Sequence, residues 1–192
     1  MNLFLLLVLA HLLGDYPLQT NWIYRQKFRS WSGGLWHAAI LFLCFAVILS
    51  PYLANWRVAA LVATISFIHY LQDYLKIEIV NKRKKMTAFS GLLFDQLLHF
   101  LFLMGAAYWA NSLQLEVISG NLISSILYSD PVLIYLIVLL SATFVINTVS
   151  HVKNFDKSKS EFRRDWRGIF IRGGIATFVF GVIWLVTAAY LV

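Results

Sequence analysis

The sequence predicts an all-α, polytopic membrane protein with six transmembrane helices, and three observations predict it. Hydrophobic residues fill 60% of the 192 positions and charged residues only 13%, with a mean hydropathy of +0.71. A soluble domain of this length needs far more polar surface. The apolar residues gather into stretches near the roughly 20 residues that a helix needs to cross a bilayer. The Lys and Arg residues gather between alternate stretches, as they do at a cytoplasmic membrane face. A single transmembrane domain over 1–192 follows, with no room for a separate soluble one.

The spans read as 2–20, 34–50, 57–77, 88–110, 131–150 and 168–190. The first has no basic leader and no small-residue cleavage site, so it reads as a span rather than a cleaved signal. Gly14 and Pro17 predict a kink or an early stop near its end. Arg25, Lys27 and Arg29 follow the first span, and Lys82, Arg83, Lys84 and Lys85 the third. Lys153, Lys157, Lys159, Arg163, Arg164 and Arg167 follow the fifth. The loops 51–56 and 111–130 carry no Lys or Arg, and Arg57 opens the third span. This asymmetry puts the basic loops in the cytoplasm and both termini outside. Residues 113–129 could form a short interfacial helix. Trp22, Trp31, Trp56, Trp109 and Trp166 at the span ends fit an interfacial belt.

The net charge of +7 is accounted for by loops that touch anionic lipid head groups, and no nucleic-acid partner is expected. The one cysteine, Cys44, lies in an apolar run; it excludes an intramolecular disulfide and a Cys-based zinc cluster.

Polar residues inside the spans carry the functional signal. His11 and Asp15 are four apart and share one helix face; His69 and Asp73 repeat the spacing, and Asp95 and His99 reverse its order. Shifting the chain by 58 residues lays 11–43 over 69–101, and eleven positions match, among them His11 on His69, Asp15 on Asp73 and Lys27 on Lys85. His37 falls on Asp95. Spans one and two (repeat A, 3–50) and spans three and four (repeat B, 57–110) therefore read as tandem hairpins of one orientation, followed by a C-terminal hairpin over 131–192.

Helix direction explains the reversed order. At about 1.5 Å per residue, each inward-running span puts its histidine deeper and its aspartate about 6 Å nearer the cytoplasm. The fourth span runs outward, so its aspartate comes first. His11, His69 and His99 then form one tier, and Asp15, Asp73 and Asp95, with His37 beside them, a second.

An ionised Asp at a helix centre costs about 2.5–3.5 kcal/mol on insertion scales, so something must offset it. A divalent cation explains these residue types best, because imidazole with carboxylate suits zinc, manganese, iron, cobalt or nickel. Seven ligands exceed what one tetrahedral ion takes, which leaves room for two ions or for one ion with an outer shell of carboxylates. The same groups could instead hydrogen-bond between helices or relay protons. Around them, Gln19 and Gln96 are candidates to orient ligands or substrate. Lys76 reads first as a side chain snorkelling to the boundary and second as a contact for a bound anion. Arg172 is a candidate phosphate or carboxylate clamp. Asn147 lies at the cytoplasmic end of the fifth span, and His151 reads as a boundary residue. No phosphate loop, nucleophile elbow or His-Glu-x-x-His helix is present in the sequence.

With these residues quoted, the chain resembles a bacterial membrane-protein family catalogued only as a domain of unknown function. Its pattern is H-x3-D-[FY]-x2-Q, then H-x3-D-x2-K, then D-Q-x2-H. Here those are His11, Asp15, Tyr16 and Gln19; His69, Asp73 and Lys76; and Asp95, Gln96 and His99, within about residues 3–105. The sequence is also similar, more loosely, to membrane-bound metal-dependent hydrolases, and that resemblance implies hydrolysis. The expected function is a cytoplasm-facing metal site acting on a lipidic or anionic substrate, with the three aspartates as ligands or general base. A proton- or cation-coupled transporter is the alternative, and a non-catalytic assembly or binding protein the second.

The orientation has a direct test. In a chain with Cys44→Ala, Lys84→Cys is expected to react with an impermeant maleimide only in inverted vesicles, and Asn55→Cys only in intact cells. The opposite labelling pattern would reverse the topology.

Overall fold

The computed structural model describes residues 2–82, 88–113, 126–153 and 164–190. Every regular element among them is helical. Helix α1 is Leu3–Asp15, α2 is Asn21–Arg29, α3 is Trp31–Ile48, α4 is Trp56–Lys82 and α5 is Ala88–Asn111. Helix α6 runs over Asp130–Lys153, with a π-helical stretch at Ser141–Val145, and α7 is Trp166–Tyr190. Five of these seven, α3 to α7, are long and apolar enough to cross a membrane, as in a multi-pass membrane protein.

The first predicted span, 2–20, is a shorter helix in the structure. Helix α1 has 13 residues, about 20 Å of rise, which falls short of a hydrocarbon core of roughly 30 Å. It stops at Asp15 because Pro17 has no N–H to continue the ladder, and the Leu18 amide reaches back to the Leu13 carbonyl instead. The chain then turns into α2, whose first turn is capped by the Thr20 hydroxyl accepting from the Ile23 amide. The Ser30 hydroxyl does the same for Gly33 at the start of α3. The stop anticipated from Gly14 and Pro17 is present: a turn replaces the span's last residues, and the short helix α2 follows it.

Helices α1, α3, α4 and α5 form a closed ring: α1 packs on α3 and α5, and α4 packs on the same two. Helix α6 lies outside the ring against α1 and α5, and α7 packs on α6. Two polar ties set the directions. The Asn2 amide donates to Asp130 at the start of α6, so α1 and α6 run parallel. At the other end, Arg164 donates to the Tyr16, Pro17 and Gln19 carbonyls just after α1. The start of α7 is thereby held beside the end of α1.

The half of the ring around the start of α1 is apolar. Leu6, Leu7, Leu41, Phe45, Leu49, Val58, Val62, Ile65 and Leu103 are buried there. The outward faces are apolar too, and α7 presents Phe170, Phe178 and Leu185 at over 70% exposure, as a lipid-facing helix would. The π-helical stretch of α6 is held from α7: Arg172 donates from Nε to the Ala142 carbonyl at 2.9 Å. Residues 83–85, 157, 159 and 163 of the basic loops, and all but the ends of the 113–129 segment, lie outside the described residues.

Close approach at two glycines lets these elements meet. A Cβ on Gly14 would reach the Leu41 side chain, and one on Gly33 would collide with the Gln26 carbonyl of α2. Gly33→Leu is therefore expected to push α2 off α3 and destabilise the protein by about 1–3 kcal/mol, the usual cost of overpacking. Thermal unfolding in detergent checks it; an unchanged midpoint would mean the contact yields freely.

Candidate metal centre

Each helix of the ring sends polar side chains inward at one level. Helix α1 contributes His11 and Asp15 from its last turns, α3 contributes His37, α4 contributes His69 and Asp73, and α5 contributes Asp95 and His99. The i, i+4 spacing keeps each pair on one face, and ring closure turns those faces toward each other. His11, His37, His69, Asp73, Asp95 and His99 are all at most 5% exposed, and the Asp15 side chain is 8% exposed.

The histidines lie against one another. His69 and His99 stack with ring centres 4.0 Å apart and planes within 3°. His11 is 5.2 Å from His69 and 5.3 Å from His99, and His37 is 5.3 Å from His69. Asp15 sits between two sets of rings. Its Oδ1 accepts from His37 Nε2 at 3.0 Å and is 3.2 Å from His69 Nε2. Its Oδ2 is 3.7 Å from His11 Nε2 and accepts from Gln96 Nε2 at 3.1 Å. Gln96 Oε1 also lies 3.4 Å from His11 Nε2. Asp73 Oδ2 is 3.4 Å from His69 Nδ1 and 3.5 Å from His37 Nε2.

Three groups of potential ligands result, in each of which the donor atoms lie within 4.8 Å of one another: His11, Asp15, His69 and His99; His37, His69 and Asp73; and Asp73, Asp95 and His99. The donor set fits a divalent metal in a further respect. Both ring nitrogens of His69 and His99, and Nδ1 of His11 and His37, are buried without a hydrogen-bond partner. The short His69 distances to Asp15 and Asp73 run in directions that align no N–H with an oxygen. Buried polar atoms normally find a partner, and unpartnered imidazole nitrogens grouped with carboxylates are a donor set that could hold a metal ion.

Two lysines reach the same region. Lys76 donates to Asp95 Oδ2 at 2.6 Å, so it is paired inside rather than snorkelling to the boundary. Lys27 forms an ion pair with Asp73, with both side chains under 10% exposed. Sequence reasoning left Lys27 among the loop charges. One signal was available: Ile23 and Lys27 are one turn apart on α2, and they are its two buried residues. Spacing shows that they share a face, but only the packing of α2 shows that the face meets Asp73.

The remaining candidates lie elsewhere. Gln19 is in the turn after α1, with its carbonyl held by Arg164 and its Oε1 buried without a partner. Asn147 accepts from the Asp165 amide and joins α6 to the start of α7. Arg172 donates to the Ala142 and Thr143 carbonyls, and its Nη1 is 3.8 Å from Asp165.

A family model described as a protein of unknown function, DUF3307, matches residues 3–126. The chain belongs to the DUF3307 family. No curated protein and no solved structure matches it. The DUF3307 segment takes in α1 to α5, and with them all seven His and Asp residues, Lys27, Lys76 and both glutamines. Asn147, Arg172, α6 and α7 fall outside it.

Removing Lys27 leaves Asp73 buried with an uncompensated charge. Lys27→Met is expected to cost about 3–5 kcal/mol of stability, and Lys27→Met with Asp73→Asn to recover most of it. Denaturation of the single and double variants in detergent gives the coupling; simple additivity would show that the pair is not energetically linked.

Proposed function

We propose that DUF3307 proteins carry a divalent-metal centre inside the four-helix ring, facing the cytoplasm, and that the centre is hydrolytic with a lipidic or anionic substrate. The observation that carries the metal reading is the convergence of four imidazoles and three carboxylates from four helices in one buried volume, with six ring nitrogens left without hydrogen bonds. His11, His69 and His99 with Asp15 would hold one ion. His37, His69 and Asp73 would hold a second: His37 Nε2 lies 3.0 Å from Asp15 Oδ1, and Asp73 Oδ2 lies 3.4 Å from His69 Nδ1. When bound, the metal would supply Lewis acidity and an activated water.

The chain's own residues would do the rest. Gln96 orients Asp15 and His11 through one amide. Asp95, held by Lys76, is placed to accept a proton at the edge of the centre. The apolar core around Leu6, Phe45, Val62 and Leu103 closes the ring on the side of the α1 start. That closure favours a site open to one face over a conducting path.

The Lys and Arg residues at the ends of α2, α6 and α7 support a reading in which the open side faces the cytoplasm and both termini lie on the other side. The matched stretches 11–43 and 69–101 are read as a duplicated hairpin in which Pro17 broke one copy.

The decisive measurement is metal content by mass spectrometry of protein purified in detergent without chelator. Wild type is expected to hold roughly one or two ions per chain, the number such a donor set accommodates. His69→Ala and His99→Gln should fall to background with helicity intact by circular dichroism, and Gln96→Ala should weaken binding by about 10–100-fold. A metal-free wild type would sink the proposal.

A further inference from the structure

A cavity of about 170 Å³ opens where α2, α3 and α4 meet. Its wall includes Lys27, Arg29, Trp31, Tyr70, Asp73 and Tyr74. Asp73 links it to the buried centre, because the same carboxylate belongs to two of the three ligand groups. The cavity therefore borders the centre at Asp73.

Its chemistry is selective. Lys27 brings an ammonium that is 9% exposed, and Arg29 brings a guanidinium at the end of α2. The first turn of α3, from Trp31 to Gly34, adds the positive end of an 18-residue helix. Glu78 is on the wall as well, so Lys27 and Arg29 are balanced by Asp73 and Glu78 until a cation takes Asp73, after which the two basic side chains and the helix N-terminus face Glu78 alone. Trp31 is 67% exposed and Tyr74 45%, which gives the mouth an aromatic rim. With Lys27 released, basic side chains within and aromatic surface around them match an anionic head on an apolar body.

Lys27 connects this cavity to the centre. It is paired with Asp73, and a cation on Asp73 would compete for that carboxylate. Its ammonium would then be left in the cavity wall without its counter-charge. We propose that this cavity is the substrate-binding mouth of the protein, and that it takes the phosphate-bearing head of a lipid through Lys27 and Arg29. The proposal rests on the metal reading, which releases Lys27 from Asp73 and so gives the cavity its net positive charge; Arg29 at the mouth is independent of it.

The test uses full-length protein in detergent, loaded with zinc, with binding read by calorimetry. The probes are dihexanoyl phosphatidate, dihexanoylglycerol and inorganic phosphate. Phosphatidate is expected to bind wild type and the uncharged glycerolipid not to. Arg29→Gln, at an exposed position, should weaken phosphatidate by about tenfold, the scale of one charge-assisted contact, with zinc content unchanged. Lys27→Gln should weaken it at least as much, and Lys27→Arg should restore it. Equal binding of both lipids, or indifference to Arg29 and Lys27, overturns the proposal. Inorganic phosphate binding as tightly as phosphatidate, with the same Arg29 dependence, overturns the lipid assignment and leaves free phosphate as the ligand. A wild type that holds phosphatidate through Arg29 yet retains no zinc keeps the mouth and rejects the metal centre separately.

Discussion

Three carboxylates buried in an apolar helix bundle must be neutralised, and the rest of the structure follows from how that is done. Each ionised Asp at membrane depth carries a cost of about 2.5–3.5 kcal/mol. Lys27 offsets Asp73 and Lys76 offsets Asp95. Asp15 has no lysine; its neighbours are His11, His37, His69 and the Gln96 amide. With neutral imidazoles the set carries one unbalanced negative charge, which a proton on a ring or a bound cation would remove. The orphaned ring nitrogens favour the cation, since a hydrogen-bonded glue would have used them.

The same constraint accounts for the shape of the N-terminal half. A lysine that reaches Asp73 must come from a segment lying across the ring's rim, and α2 is that segment. Forming α2 requires α1 to end early, which Pro17 enforces, and requires α2 to lie close on α3, which the missing side chain of Gly33 permits. Helices α6 and α7 take no part in the neutralisation. Their polar groups bind each other, through Arg172 on the π-helical carbonyls and Asn147 on the Asp165 amide. The matched family segment ends before them, at residue 126.

Much of the centre was legible in the sequence because helix periodicity is strict. Four-residue spacing puts His11 with Asp15 and His69 with Asp73, and the reversed order of Asp95 and His99 follows from an antiparallel neighbour. His37 could be placed from rise per residue alone. Lys27 could not, because a lysine in a polar stretch after an apolar one reads as solvated until the helix that carries it is docked. Lys76 has a long stem that reaches either the boundary or Asp95, and spacing does not choose between them. Arg172 and Asn147 are polar residues near span ends, a description that fits a ligand clamp and a helix tie equally well.

The sequence by itself determined the all-helical class, five of the spans, the basic and uncharged ends, and which faces carry imidazole and carboxylate. Those depend on composition and on periods of a few residues, which are local. The tertiary structure alone decided that the faces close into one ring, that Asp15 stands between two sets of histidines, and that Lys27 is a member of the site. Those depend on contacts between residues dozens of positions apart, fixed by steric fit of Gly14 on Leu41 and by charge pairing across helices, and no period in the chain encodes either.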